Sequence, residues 1–307
     1  MRNNMNKIYI AGAGGMLGLA FYQEFKNQYS LKCSDIDVNE DWLSFLDFRD
    51  YKAYEAEVSS FQADYLFHLG AYTDLEYCEL NIEATYETNT RSVEHAVKIA
   101  NQLNIPLLYI STAGIFGGEK DVYDEDDKPE PLGHYGLSKY QAEIYVQEHS
   151  NDYIICRAGW MMGGGPRKDK KFIQKIINQI SNGKTTLQIV NDKLGTHTYT
   201  HDFAKNTKIL IESKHRGLFN MVCGGLTGRF EVATELMSQM DLHNKIHIEQ
   251  VSSDFFSEEY FAKRPACERL INRRLDDLNM NIMRDWKVAL KNCLKEYYSN
   301  LLPRKSD

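Results

Sequence analysis

Lys7-Ile8-Tyr9-Ile10-Ala11-Gly12-Ala13-Gly14-Gly15-Met16-Leu17-Gly18 is the stretch that decides the fold. A short β-like run stops at glycines, and an apolar segment of helical character follows. Gly12, Gly15 and Gly18 have GxxGxxG spacing. Glycine serves such a turn in three ways: a sharp bend, close approach of backbone to a pyrophosphate, and tight packing of helix on strand. The helix start adds free amide hydrogens and the positive end of a dipole, both suited to phosphate. Gly12, Gly14, Gly15, Met16, Leu17 and Gly18 are therefore candidate dinucleotide contacts.

Outward from that turn, strands and helices alternate. Helix is expected over Met16 to Tyr29, Asn81 to Leu103 and Gly133 to His149; strand over Leu31 to Asp37, Tyr65 to Leu69, Pro106 to Ser111 and Tyr153 to Arg157. The rhythm predicts an α/β Rossmann fold, a doubly wound parallel sheet with helices on both faces. After Trp160, Gly163, Gly164, Gly165 and Pro166 interrupt the chain, and a basic amphipathic helix is expected from Lys170 to Ser181. Residues 1–160 are read as the dinucleotide-binding domain, with a return segment near 196–222, and 161–307 mainly as a smaller mixed substrate region. The acidic run Asp121 to Glu130 reads as a solvated loop, and Pro303 to Asp307 as a loose tail.

The second strand ends at Cys33-Ser34-Asp35-Ile36-Asp37, about 20 residues past the glycines, where a carboxylate can accept hydrogen bonds from an adenosine ribose. Asp35 is the first candidate and Asp37 the reserve, although either would also serve simply to end a strand. A carboxylate there repels a 2′-phosphate, which inclines an NAD(P)H site towards NAD(H).

Tyr135-Gly136-Leu137-Ser138-Lys139 opens a helix, so Tyr135 and Lys139 share one face. A tyrosine hydroxyl titrates near 10 in isolation. A lysine ammonium one turn away stabilises the phenolate and lowers that value, fitting Tyr135 to give a proton to a carbonyl oxygen. The buried strand before it ends in Ser111-Thr112, which strengthens the catalytic reading; the lesser alternative is ordinary strand-end capping by Thr112.

The chain has 307 residues, 43% hydrophobic and 26% charged, with a net charge of −7. Nucleic-acid and membrane-surface binding, which need basic patches, are disfavoured. Six cysteines lie far apart without a CxxC pair, and nine histidines show no ligand spacing, so neither metal nor disulfide framework is expected. No signal-peptide core or membrane-length apolar run is evident, and a cytoplasmic protein is expected.

The sequence resembles the extended short-chain dehydrogenase/reductases, and within them the dTDP-4-dehydrorhamnose reductases. The resemblance runs through Gly12 to Gly18, His68-Leu69-Gly70-Ala71-Tyr72-Thr73, Asn89, Ile110-Ser111-Thr112, Tyr123, Glu125, Pro131, Tyr135, Lys139 and Arg157-Ala158-Gly159-Trp160. It continues in Asp192 to Thr200, Gly217-Leu218-Phe219-Asn220, Arg264-Pro265 and Trp286. It implies that Thr112 hydrogen-bonds the substrate oxygen and that Lys139 also holds the nicotinamide ribose. It further implies that Leu69, Gly70, Ala71, Tyr72 and Asn89 line the cofactor channel, with Thr73 towards the substrate. A homodimer is an expectation of the same kind.

Departures from the family pattern fall near the substrate. Ser111-Thr112-Ala113 stands where these reductases carry an aspartate third. Ala113 and Gly114 cannot supply the paired carboxylates of sugar-nucleotide dehydratases, and no cysteine lies beside Thr112 for epimerisation, so simple carbonyl reduction is favoured. Arg167, Lys168, Lys170 and Lys171 could neutralise a diphosphate, or form a solvated helix face. Trp160 and Tyr199 could wall a sugar or belong to the core. Thr196 lies on the substrate side by resemblance, Arg264 is a diphosphate candidate on the same ground, and His197 is the one histidine to follow. The expected activity is NAD(P)H-dependent reduction of a 4-keto group on a nucleotide-activated 6-deoxyhexose for polysaccharide biosynthesis, with dTDP as nucleotide. The alternatives are a reductase or epimerase of another UDP-, CDP- or GDP-sugar, and a non-catalytic NAD(P)-binding regulatory subunit resembling that of methionine adenosyltransferase.

Overall fold

The computed structural model describes residues 5–302; the expected tail at Pro303 to Asp307 lies outside them. Seven parallel strands form the central sheet: β1 (Lys7–Ala11), β2 (Ser30–Asp35), β3 (Leu43–Phe45), β4 (Tyr65–His68), β5 (Leu107–Thr112), β6 (Tyr153–Ala158) and β7 (Gly217–Asn220). Their spatial order is β7-β6-β5-β4-β1-β2-β3. The order of strand addition reverses between β1 and β4, and a crevice opens there at the strands' C-terminal ends.

Both faces of the sheet are covered, so its central strands β1, β4, β5 and β6 are buried on both sides rather than alternating. Ile8 and Ile10 of β1 join one core with α1 (Met16–Phe25), while Tyr9 and Ala11 join the other. The second core takes Tyr54 and Val58 from α2 (Tyr51–Phe61), Val93, Ala96 and Val97 from α3 (Ser92–Leu103), and Ala142 and Val146 from α4 (His134–His149).

Strand β3 and helix α2 go unread in the sequence. The strand is three residues at a sheet edge, too short to show a pattern, and α2 buries only Tyr54 and Val58. An Asp50 cap accepting from the Ala53 amide at 3.1 Å starts that helix. The expected helix over Asn81 to Leu103 is broken. Two short turns, Leu75–Leu80 and Ile82–Tyr86, precede a wide π-turn at Glu87–Arg91, and only then does α3 begin.

Beyond Trp160 the chain forms α5 (Phe172–Ser181), then returns to the sheet through α6 (Thr200–Glu212) and β7. Helices α7 (Arg229–Gln239) and α8 (Trp286–Tyr297) follow. A small sheet joins Leu194–Gly195 to Thr227–Gly228 and to Cys267–Glu268, bringing three distant segments over the crevice. The acidic run is not a solvated loop. Glu125 is buried and accepts from the Asn220 amide at 2.9 Å, Asp126 pairs with Arg274 at 2.8 Å, and Asp127 pairs with Lys120. Among the described residues no helix is long and apolar enough to cross a membrane.

Candidate active site

Strand β1 delivers the chain to Gly12, whose φ is +76°. A side chain there would set its Cβ 2.3 Å from Gly70 N and Cα, so only glycine lets the ends of β1 and β4 lie together. The amides of Gly12 and Ala13 donate to Ser34 O at 2.9 and 3.0 Å, and Gly14 N donates to Asp35 Oδ2 at 2.8 Å. Gly12 and Gly14 therefore shape the loop, and the amides left for a phosphate are those of Gly15, Met16 and Leu17 at the start of α1. No acidic residue sits in that first turn and no side chain caps it. A pyrophosphate fits this cradle electrostatically and sterically.

Asp35 also accepts from Asp37 N at 2.9 Å, and Asp37 takes the Asn39 amide at 3.0 Å. Both carboxylates knit the loop beside the ribose position. Unexpectedly, Lys168 reaches this loop, donating to Gly14 O at 2.9 Å and Asn39 Oδ1 at 2.7 Å, and Arg167 donates to Asn39 O at 3.1 Å. These two cations are thus engaged at the glycine loop, which does not fit the sequence reading of them as ligands of a substrate diphosphate.

At the end of β4, Leu69 N donates to Ala11 O at 2.9 Å, and the Phe48 ring occupies the space a side chain on Gly70 would need. Ala71 and Tyr72 follow at the crevice, half-exposed. Asn89, fully buried, accepts from Tyr72 N at 2.8 Å and donates to Tyr72 O at 3.0 Å and Ser138 Oγ at 3.1 Å. Held in the π-turn, Asn89 spends both amide hydrogens inside the protein and braces the Tyr72 segment against α4. Thr73 accepts from Lys171 Nζ through both its carbonyl and hydroxyl oxygens, each at 3.0 Å, so these two substrate candidates latch to each other.

Helix α4 carries Tyr135 and Lys139. Gly136 packs so closely that a Cβ there would lie 2.4 Å from Gly114 O, which seats the helix start against the turn after β5. Thr112 Oγ1 accepts from Gly114 N at 3.1 Å, leaving its hydroxyl proton free to donate. The position a Cβ on Gly114 would take lies 3.5 Å from both Thr112 Oγ1 and Tyr135 Cε1, so the two hydroxyl-bearing side chains border one small space. Lys139 is buried, its ammonium 4.3 Å from the Tyr109 ring centre.

Burial pushes the Tyr135 hydroxyl up to about 12, with the Thr112 hydrogen bond pulling it down. In this structure burial outweighs the lowering expected from Lys139, and Tyr135 keeps its proton at neutral pH. Burial lowers Lys139 to about 7, opposed by the charge of Glu143. Tyr135, Lys139 and Glu143 follow at intervals of four along one face of α4. Glu143 meets Arg157 of β6 in a buried pair, with Arg157 Nε donating at 3.1 Å and Nη2 at 2.5 Å. That pair fixes the helix to the sheet behind the site.

On the opposite wall, Trp160 Nε1 donates to Glu268 Oε1 at 2.6 Å, and the Arg229 guanidinium lies 3.6 Å from the Trp160 ring centre and 4.7 Å from that of Phe172. Arg229 forms no ion pair among the described residues, and burial lowers it to about 10 against the pull of Glu268. Burial raises the Glu268 carboxyl, opposed by the Trp160 hydrogen bond and by Arg229.

The other substrate candidates are placed differently from the sequence reading. Arg264 is engaged by Glu76 through two bonds of 2.7 and 2.8 Å, so its guanidinium braces the rim. Thr196 is buried and accepts from Leu270 N at 3.2 Å, out of reach of a ligand. His197 is a core residue against Trp160 and Trp286; burial lowers it to about 3 and keeps it neutral. Tyr199 is likewise buried, donating to Glu296 at 2.7 Å. A separate depression lined by Gln23, Tyr199, His201, Lys205, Arg284 and Glu296 shares no residue with this cleft.

Glu143, Arg229 and Glu268 were missed in the sequence. The four-residue spacing from Tyr135 could have found Glu143. Nothing local marks Arg229 or Glu268, which reach the cleft only through the small sheet.

The family described as the RmlD substrate binding domain matches residues 5–299. Among relatives, the spore coat polysaccharide biosynthesis protein SpsK of Bacillus subtilis (strain 168) is 26% identical, covering 95% of this chain and 98% of that protein. A dTDP-4-dehydrorhamnose reductase of Yersinia enterocolitica superimposes with a TM-score of 0.84 at 30% identity, over 95% of this chain and 99% of that one. The dTDP-4-dehydrorhamnose reductase of Bacillus anthracis str. Ames, solved in complex with NADP, gives a TM-score of 0.86 at 26% identity, over 95% and 99% of the two chains.

Proposed function

The chain belongs to the RmlD substrate binding domain family, and from that premise we propose that it is an NAD(P)H-dependent reductase of the 4-keto group of a nucleotide-activated 6-deoxyhexose, serving polysaccharide biosynthesis. The observation that carries this reading is the space bordered jointly by Thr112 and Tyr135, with Lys139 behind and a phosphate cradle beside it. Retention of all three residues supports catalysis over a purely regulatory, cofactor-binding role.

When bound, the reduced dinucleotide supplies hydride to C4. Gly15, Met16 and Leu17 would hold its phosphates through backbone amides, and Asp35 would accept a hydrogen bond from its ribose. Thr112 donates a hydrogen bond to the ketone oxygen and aligns it. Tyr135 gives that oxygen its proton as negative charge develops there. Protonated Lys139 then stabilises the phenolate left on Tyr135. Arg229, which forms no ion pair among the described residues, is the cation this cleft offers to the nucleotide diphosphate.

In this reading residues 1–160, with the return segment 196–222, bind the dinucleotide, and the remainder of 161–307 binds the sugar nucleotide. The nucleotide is dTDP, in keeping with the reductases resembled. Six buried, unpaired cysteines support a reducing compartment, the cytoplasm, and the assembly is a homodimer by resemblance.

Purified protein would be tested for oxidation of NADH and of NADPH with 4-keto-6-deoxyhexoses linked to dTDP, UDP, CDP and GDP. Turnover is expected with the dTDP sugar, and Tyr135→Phe should lower kcat by about 10²–10⁴-fold while still binding cofactor. Cofactor binding with no sugar reduced would sink the reading.

A further inference from the structure

Ala113 and Gly114 leave the turn after β5 without a carboxylate, yet a carboxylate faces that turn from across the cleft. The strand Cys267–Glu268 pairs with Leu194–Gly195 and is held over the site, far in sequence from α4. Glu268 uses Oε1 to accept from Trp160 Nε1 at 2.6 Å, which anchors one oxygen of the carboxyl group. Oε2 is turned the other way, 3.8 Å from the position a Cβ on Gly114 would occupy, the same position that lies 3.5 Å from Thr112 Oγ1 and Tyr135 Cε1. The carboxylate, the proton donor and the orienting hydroxyl thus border one space, and the Glu268 charge is felt at Tyr135.

A carboxylate repels phosphate and accepts hydrogen bonds, so this oxygen suits the sugar and not the diphosphate. In a 6-deoxyhexose with a 4-ketone, C5 carries a methyl group, and the hydroxyl adjacent to the ketone is on C3. We propose that Glu268 Oε2 accepts a hydrogen bond from the C3 hydroxyl of the substrate, making Glu268 a specificity-determining contact of this cleft. The contact selects a hydroxylated ketosugar and sets the ring's rotation about the ketone, while Trp160 holds the carboxyl in place. The proposal rests on the reading of the cleft as a 4-keto reductase.

Wild-type protein and Glu268→Gln would be compared on a dTDP-4-keto-6-deoxyhexose and on its 3-deoxy counterpart, with kcat and KM measured for each. A charge-assisted hydrogen bond corresponds to a loss of about ten- to a hundredfold when either partner is removed. Wild type should therefore prefer the 3-hydroxylated sugar by about that factor in kcat/KM. Glu268→Gln should lose activity on that sugar and change less than about threefold on the 3-deoxy sugar. Equal losses on both sugars would assign Glu268 to bracing Trp160 and overturn the contact, as would no loss on either. Calorimetric titration of cofactor-loaded protein with dTDP-rhamnose and its 3-deoxy counterpart reads the same contact without turnover. Discrimination there, abolished in Glu268→Gln, would uphold the contact even if wild type reduced no ketosugar and the reductase reading fell.

Discussion

In the proposed reading, the two sides of the cleft recognise their ligands by different means. On the cofactor side the atoms offered to the ligand are backbone amides of Gly15, Met16 and Leu17, and the polar side chains nearby, Asp35, Asn39, Lys168 and Asn89, hold loops in place. On the substrate side the offered atoms are the side-chain ends of Arg229 and Glu268, carried on segments that meet only in the folded chain. Backbone recognition depends on a local turn, whereas side-chain recognition depends on long-range packing. A change of one carbon should therefore be ruinous on the first side, and a change of charge graded on the second.

The largest effect should come from Gly12→Ala. Its φ of +76° disfavours any side chain, and its Cβ would overlap Gly70 at 2.3 Å. Titration with NADH and NADPH should show affinity lowered at least ~100-fold, a loss of ~2.7 kcal/mol. Retained binding would mean that the loop tolerates remodelling and that the contrast is overstated.

Next in size is the pair Arg229→Ala and Arg264→Ala. Loss of a charge-assisted contact to diphosphate should raise KM for the sugar nucleotide about 10–100-fold in Arg229→Ala, with little change in Tm. Arg264→Ala should do the reverse, losing about 1–3 kcal/mol of stability because Glu76 is left without its partner, with KM nearly unchanged. A KM effect from Arg264 matching that of Arg229 would break the distinction between ligand-facing and bracing cations.

The smallest effect is in the pH profile. Lys139 titrates at about 7, so its charged form is present below that pH and lost above it. The reductase kcat/KM should fall by up to about tenfold per pH unit on the alkaline side of 7. Lys139→Arg, which keeps its charge, should move that limb upward; an unmoved limb would assign it to another group.

What could be read in the sequence follows the same division. Gly12 to Gly18 and Tyr135 to Lys139 are contiguous, and their spacing alone implies which atoms share a turn or a helix face. Five of the seven strands were legible; β3 has three residues and no room for a pattern, β7 was covered only by a return segment near 196–222, and α2 escaped notice because its buried face amounts to Tyr54 and Val58. Arg264, Lys171 and Thr196 were singled out as charged or polar residues near the substrate. Such residues are as able to bind Glu76, Thr73 and Leu270 as a ligand, and the sequence holds no record of which partner prevails. Asn89 is a similar case, since a π-turn rather than a regular helix decides where its amide points.

The row Tyr135, Lys139, Glu143 bears on how this protein can change length. An α-helix advances about 1.5 Å and turns about 100° per residue, so one residue inserted or removed between Tyr135 and Glu143 would rotate one end of the row away from the other. Either the proton donor would leave Thr112, or Glu143 would leave Arg157 as a lone buried charge, costing roughly 3–5 kcal/mol. Insertions and deletions should therefore be excluded from this segment in functional descendants, while the exposed Gly183 turn after α5 can gain or lose residues freely.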